Sequence, residues 1–561
     1  MSTNISKAKR EELLKQVAEI RNKLMEHQDE NTNQLLVYLS NIEKDIDGKK
    51  YGLVFEEHRE AVDELLENNV PVLIEDEDLK IDNGGLQNFL IEGDNLASLK
   101  LLEKTHKGKI DFIYIDPPYN TGHDDFVYDD DIVGIDDKFR HSKWLSFLSK
   151  RLEVAYRLLA PNGVIFVSID DNESSQLKLL CDSIFQENNY LGSITWLKKR
   201  KGSFLSKKII SLTEFIHGYS KNASNVKLFG GKPNESESQP IIKRTNKIRR
   251  LRFLANTVKT KLKDGIYKAG TYGEGVNPVK LLFDCEVQNG IFKKDVVLEA
   301  PFTWSQAFLD EELTKGTQVV INTKNLQPRV FRKPDESSFK GFASIIYGVN
   351  INATNEDAYE ELEEIFGVKK IFDYSKPKNL ICELLNATTY FNKDAICLDF
   401  FAGSGTAGHA VMKLNAEDGG KRKFILCTNN ENNICRDVTY ERIKRVIAKE
   451  DYKASLKYYK VDFVPITEQV YYEYADKLLL HIKELVELEN GLDFDGNNKV
   501  AICLTDEDLR EYAAVLDDNT TYKSVYVGHD VFVTPEIESK LNSLGIKINI
   551  IPDYYYSELR G

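Results

Sequence analysis

No run of 18 apolar residues occurs anywhere in the 561-residue sequence, so nothing in it reads as a membrane-spanning helix. Paired cysteines are also missing. Cys181, Cys285, Cys382, Cys397, Cys427, Cys435 and Cys503 are scattered, mostly inside apolar stretches and without a C-x-x-C pair, which argues against a zinc site and a disulfide framework. No metal and no membrane partner are expected. Internal repeats and long low-complexity segments are absent too. The amino terminus is charged and helical rather than signal-like, which gives a cytoplasmic expectation. Positive charge is in short supply overall, with 75 Lys and Arg against 89 Asp and Glu and a net of −14. An average of this kind hides its distribution. Residues 196–270 hold 19 basic and 4 acidic side chains, a local net of +15, whereas residues 451–561 hold 11 and 21, a local net of −10. One segment is thus suited to phosphate and the other to protein or water.

Proline is scarce, yet two stand side by side at Pro117 and Pro118, directly after the short apolar run Ile110 to Ile115. That run, rich in β-branched and aromatic residues, predicts a strand buried in a parallel sheet. The strand must stop at Asp116, because consecutive prolines cannot donate to a ladder and hold the preceding residue extended. An acceptor carboxylate, free carbonyls and the face of Tyr119 then lie together at the carboxyl edge of the sheet, where open α/β folds bind ligands. A planar base with an exocyclic amine fits this set. Asp116 and the Pro117 carbonyl would accept its two N–H bonds while Tyr119 stacks on the ring.

Around this stretch the pattern alternates strand and helix. Residues 5–70 show helical apolar spacing. Phe89 to Glu92 predicts a strand, followed by Gly93-Asp94-Asn95-Leu96 and a helix from Ser98 and Leu99; Asp94 either reaches the same edge as Asp116 or caps the helix. Asn120 to Asp137, with Gly122 and seven Asp, reads as a loop able to close over the site. A helix over 143–159, a strand over 164–169, a helix over 174–185 and a strand over 190–196 continue the alternation. Beyond it come Lys198, Lys199, Arg200 and Lys201, then Lys243, Arg244, Lys247, Arg249, Arg250 and Arg252, interleaved with Trp196, Phe204 and Phe253. Such residues suit phosphate contacts with a few base-edge contacts.

A second buried strand, Ile396 to Phe401, runs into Ala402-Gly403-Ser404-Gly405-Thr406-Ala407-Gly408. Small residues there let backbone N–H groups at a helix start approach a ligand closely. Taken alone, Gly403, Gly405 and Gly408 fit the dinucleotide fingerprint and also admit NAD. Glu431, after the strand 423–428, is placed to accept from ribose hydroxyls of either cofactor.

Asp116-Pro117-Pro118-Tyr119 resembles the catalytic motif of amino-methyltransferases that modify exocyclic nitrogens of nucleobases, in the Asp form most typical of adenine enzymes. Phe401 to Gly405 resembles their S-adenosylmethionine loop. The order of catalytic motif, recognition region and cofactor loop is that of the β group of DNA amino-methyltransferases. Gly93 to Leu96, the size and the appended carboxyl-terminal module resemble the modification subunit of type III restriction-modification systems. The resemblance implies an α/β, Rossmann-like methyltransferase sheet in permuted motif order. It further implies a helical amino-terminal segment (1–80), a catalytic half (81–199), a target-recognition domain (200–370), a cofactor-binding half (371–465) and a small α/β assembly domain (466–561). S-adenosylmethionine would be held by Asp94, Lys376, Pro377, Asp399, Phe401, Gly403, Gly405, Thr406 and Glu431. The implied reaction is methyl transfer to the 6-amino group of adenine in duplex DNA, by a homodimer with a nuclease-helicase subunit as second partner. Transfer to the 4-amino group of cytosine, and a solitary adenine enzyme, are the alternatives.

Overall fold

The computed structural model describes residues 5–26, 32–47, 55–122, 127–128, 131–132, 137–202, 207, 209–234, 236–273, 278–333, 338–466, 471–495 and 497–557. The chain divides into two compact units, Met1–Val226 with Ser344–Gly561, and Lys227–Ala343. No helix among the described residues is long and apolar enough to cross a membrane.

A ten-stranded sheet organises the larger unit. Its strands are β1 (Asn69–Glu75), β2 (Leu86–Glu92), β3 (Ile110–Ile115), β4 (Leu159–Ile169), β5 (Tyr190–Leu197), β6 (Thr213–Ser220), β7 (Ile345–Tyr347), β8 (Ile396–Asp399), β9 (Lys423–Thr428) and β10 (Ala454–Pro465). Their order is β1-β10-β2-β9-β8-β3-β4-β6-β5-β7. The run from β10 to β4 is parallel, and β1 and β6 pair antiparallel to it. Strand β3 is buried at five of its six positions, which is why it lacks polar alternation. On β9, Ile425 and Cys427 join the core that also takes in the helices Asn95–His106, Arg140–Leu158 and Ser174–Phe185. Phe424 and Leu426 point the other way and press on Gly408 of the helix Thr406–Asp418, where a Cβ would lie 3.1 Å from Leu426. Helices therefore cover both faces.

The pairs Cys397↔Phe112 and Leu398↔Ile113 make β8 and β3 neighbours although they lie far apart in the chain. From β8 the chain winds toward β9 and β10, and from β3 toward β4 and β6. Their carboxyl ends therefore flank the topological switch point, the place where such sheets bind ligands.

The separate unit is narrower than the 200–370 expected. Thr213–Ser220 forms an antiparallel hairpin with β5 and extends the large sheet, because its buried side chains match β4 on one side and β5 on the other. Residues 345–347 pair with β5, and the helix Asn355–Phe366 also belongs to the large unit. Unit 227–343 has its own core, including Leu251, Phe253, Val287, Leu298 and Val319, under a four-stranded and a seven-stranded sheet.

The carboxyl-terminal part begins with two helices, Tyr471–Leu479 and Ile482–Asn490, and Leu485, Val486 and Leu488 of the second belong to the main core. Residues 467–470 lie outside the described residues. A parallel three-stranded sheet, Val500–Cys503, Ser524–Gly528 and Lys547–Ile551, follows with its own small core. At the other end stand the helices Ile5–Glu26, Thr32–Asp47 and Ala61–Asn68.

Candidate active site

Strand β3 delivers Asp116 to the edge of the sheet, and the two prolines hold the chain beyond it. Trp144 Nε1 donates to the Pro118 carbonyl at 2.7 Å, so that carbonyl is already engaged. Asn120 follows with φ 55°, and its buried amide donates to the carboxylate of fully buried Glu173, which also meets His141. The motif is thus anchored on both sides.

The Asp116 carboxylate is not solitary. Lys376 Nζ donates to both of its oxygens at 2.8 Å, and the Tyr119 hydroxyl donates to Oδ1 at 2.8 Å. Glu214, from β6, completes the group. Its Oε2 lies 3.1 Å from the Tyr119 hydroxyl and 3.4 Å from Lys376 Nζ, and its Oε1 accepts from Lys198 at 2.8 Å. Lys376 Nζ also lies 4.9 Å from the centre of the Tyr119 ring and 6.0 Å from that of Trp196.

Burial pushes the Asp116 carboxyl above the usual carboxylate range; Lys376 works against this and the charge of Glu214 with it. For Glu214 burial acts in the same sense, but Lys376 and Lys198 outweigh it and hold the carboxyl below its ordinary value. Burial opposes the charge of Lys376, and Asp116 and Glu214 more than compensate, so the ammonium persists. Two carboxylates and two ammonium groups therefore balance one another at this strand end.

Strand β8 ends differently. Asp399 is buried, accepts from the Phe401 N–H at 3.0 Å, and is pushed up to about 8 by burial, with the nearby charge of Asp116 adding to the shift. Gly403 and Gly405 take φ of 48° and 75°, the left-handed region, and Gly405 caps the helix Thr406–Asp418 without any side-chain hydrogen bond. The first-turn amides are therefore left to a ligand or water. The loop is held from behind: Arg442 donates to the Thr406 and Ser404 hydroxyls at 2.8 and 3.2 Å, Thr439 to the Gly403 carbonyl at 2.6 Å, and Ser375 pairs with Ser404 at 2.7 Å. Phe401 packs on Phe147 with ring centres 5.9 Å apart.

Several expected site residues sit elsewhere or do something else. Lys376 meets the cofactor loop only through its backbone carbonyl, which accepts from Thr406 at 3.2 Å, while its ammonium goes to Asp116. Pro377 begins the helix Lys378–Thr389. Asp94 caps the helix Asn95–His106, accepting from Leu96 and Ala97 at 2.7 and 3.2 Å. Glu431 is exposed on the turn after β9. Lys198, expected on DNA, is committed to Glu214 because it ends a strand that faces the pocket, and Arg200 pairs with Asp357. Trp196 and Phe253 are fully buried core residues rather than stacking surfaces. Phe204, and most of the loop expected to close the site (123–126, 129–130 and 133–136), lie outside the described residues. Lys199, Lys201, Lys243, Arg244, Lys247, Arg249, Arg250 and Arg252 are exposed, with Arg250 and Arg252 paired to Glu299 and Asp295. Glu214 and Glu173 were not anticipated. Glu214 is the second residue of its strand and Glu173 stands just before a helix, and an acid beside an apolar run was the available signal.

An acid, two prolines and an aromatic on one strand end, and a glycine loop with uncapped amides on the next, thus place two adjoining ligand beds at the switch point of an α/β sheet. The chain belongs to the DNA methylase family, whose model matches residues 110–440. It is 32% identical over 422 residues to the Type III restriction-modification enzyme StyLTI Mod subunit of Salmonella typhimurium, covering 68% of this chain and 61% of that one. Against the EcoPI Mod subunit of Escherichia phage P1 the identity is also 32%, over 62% of this chain and 58% of the relative. The Type II methyltransferase M.KpnI of Klebsiella pneumoniae is 31% identical, over 60% of this chain and 79% of its own length. The chain thus spans about three fifths of the length of each of these two Mod subunits.

Proposed function

We propose that the chain transfers a methyl group from S-adenosylmethionine to the 6-amino group of adenine in duplex DNA, as the modification subunit of a type III restriction-modification system. The observation that carries this reading is the juxtaposition of Asp116 at the end of β3 with the bare glycine loop at the end of β8.

The β8 bed suits the cofactor by its donor set. Unpaired helix-start amides suit a carboxylate, buried Asp399 suits hydroxyl or ammonium donors, and Phe401 offers an apolar wall. Bound there, S-adenosylmethionine would supply an electrophilic methyl group. Asp116 and the Pro117 carbonyl would accept the two N–H bonds of the amine, drawing its lone pair out of the ring and orienting it. Tyr119 would stack on the base, which must leave the duplex at a cost of a few kcal/mol. No covalent bond to the protein is required. Exposed Arg249, Arg250 and Arg252 of unit 227–343 supply phosphate contacts, and that unit reads the neighbouring bases.

Mass analysis of nucleosides after incubation with DNA and methyl-labelled cofactor tests the reading. Label on N6-methyladenine is expected, and label on N4-methylcytosine would overturn the assignment of the base. A methyltransferase that is not a type III subunit is the second reading, favoured by the larger coverage of the Type II methyltransferase M.KpnI. Co-purification with a nuclease-helicase subunit, and sedimentation as a dimer, would separate the two.

A further inference from the structure

Lys376 stands where the substrate's amine is expected. Its ammonium donates to both oxygens of Asp116 at 2.8 Å and the Tyr119 hydroxyl takes a second lone pair of Oδ1, so an arriving amine competes with Lys376 for that carboxylate. A destination lies beside it. Glu214 Oε2 is 3.4 Å from Nζ, and the Tyr119 and Trp196 rings flank the path at 4.9 and 6.0 Å. We propose that Lys376 is a displaceable counter-cation that holds the amine site of Asp116 in the empty enzyme and passes to Glu214 when the substrate's amino group arrives, which makes Glu214 a positioning residue of the methyl transfer. The inference rests on the amino-methyltransferase reading.

Geometry and charge both favour a short transfer over an exit. The Lys376 backbone is pinned by Thr406 at its carbonyl and by the Pro377 that follows, so only the flexible stem moves. Expelling the ammonium would leave Asp116 and Glu214 with Lys198 alone, and unpaired buried charges are expensive. Handing it to Glu214 keeps two carboxylates and two ammonium groups together. Glu214 is placed for this, because Lys198 occupies only its other oxygen. The Tyr119 hydroxyl touches both carboxylates and can follow the shift, at 2.8 Å to Asp116 and 3.1 Å to Glu214.

The consequence is a coupling with a definite sign. In Glu214→Gln the ammonium has Asp116 as its only full counter-charge, so the amine must displace a more tightly held cation, and single-turnover transfer should fall by about tenfold to a hundredfold. In Lys376→Met there is no cation to displace. Asp116 then faces Tyr119 and Tyr114 from its own segment, Glu214 from β6 and Asp399 from β8, with Lys198 beyond Glu214, so the acid limb of its rate profile should move to higher pH. The double variant, assayed on the alkaline side of that limb, should be at least as fast as Glu214→Gln alone.

The test is this cycle of four proteins, read by single-turnover methyl transfer to DNA across pH, with calorimetric titration of S-adenosylmethionine to show that each variant is folded. Equal cofactor affinity with recovery in the double variant supports the transfer of the cation. Losses that multiply, or an acid limb that Lys376→Met leaves in place, overturn it while the methyltransferase reading stands. Label on cytosine in the wild-type protein would instead overturn the choice of base and leave the cycle interpretable. A folded wild-type protein that transfers no methyl group would overturn both.

Discussion

The two strand ends that meet at the switch point are finished in opposite ways. At β3 the backbone is stiffened by Pro117 and Pro118, and every charged group has found a partner: Asp116 has Lys376 and Tyr119, and Glu214 has Lys198. At β8 the backbone turns through two left-handed glycines, the side chains that hold the loop lie behind it, and the helix start is left bare. One bed is closed on itself and must be opened by its ligand. The other is preformed. A rigid, charge-balanced pocket suits a base that arrives late and must be oriented, whereas exposed amides suit a cofactor that binds on its own.

The comparison breaks most directly at Asp116. Asp116→Ala removes the acceptor for the amine, and methyl transfer should fall by at least about a hundredfold to a thousandfold, the usual scale for one preorganised electrostatic contact. A single-turnover assay with DNA in excess would show it. Reversing the charge of Arg249, Arg250 and Arg252 together touches neither bed. DNA binding should weaken by about a hundredfold, and its salt slope should drop by roughly 0.9 for each phosphate that is no longer neutralised. Fluorescence titration at several salt concentrations reads both quantities. Folding should be nearly unaffected, because Arg250 and Arg252 are exposed and solvent screens their pairs with Glu299 and Asp295.

Smaller effects sharpen the contrast. Tyr119→Ala should lose about 1 to 3 kcal/mol of base stacking. Tyr119→Phe should lose less, on the order of 1 kcal/mol, through the hydroxyl that bridges Asp116 and Glu214. Equal losses in the two would remove stacking from the account. Asp399→Asn isolates the buried acid of the other bed. Because the folded carboxyl sits at about 8 against 3.8 for the free group, its cost to stability is absent below pH 4 and grows until about 8. The melting temperature of the variant minus that of the wild-type protein should therefore rise across that window in the absence of cofactor, and stay flat above it.

Much of this arrangement is legible in the sequence because it is local. An apolar run stopped by two prolines, and a strand running into Phe401 to Gly405, carry their meaning within a dozen residues; the first strand stands where expected and the second ends two residues early, at Asp399. The features that sequence reasoning misses depend on distant pairing. Glu214 is 98 residues from Asp116 and 162 from Lys376, in a strand that the sequence pattern assigns to the inserted region, and only the β5–β6 hairpin brings it to the pocket. Lys376 and Asp94 stand out in the sequence, but a lysine before a helix and an acid before a helix each have two uses and the spacing alone does not choose between them: the Lys376 ammonium goes to Asp116, and Asp94 caps its helix. The charge run over 196–270 misleads in the same way, since it spans a buried strand end as well as a solvated face.

The division of labour between the two beds is tested most directly by calorimetric titration of S-adenosylmethionine into Asp116→Ala and Gly405→Val side by side, without DNA. Gly405 holds φ 75°, and a Cβ there would lie 3.2 Å from Thr439, a conformation and a crowding that together cost about 1 to 3 kcal/mol. The account predicts wild-type affinity in Asp116→Ala and a tenfold to hundredfold loss in Gly405→Val. Weak binding in a folded Asp116→Ala protein, or full binding in Gly405→Val, would contradict it.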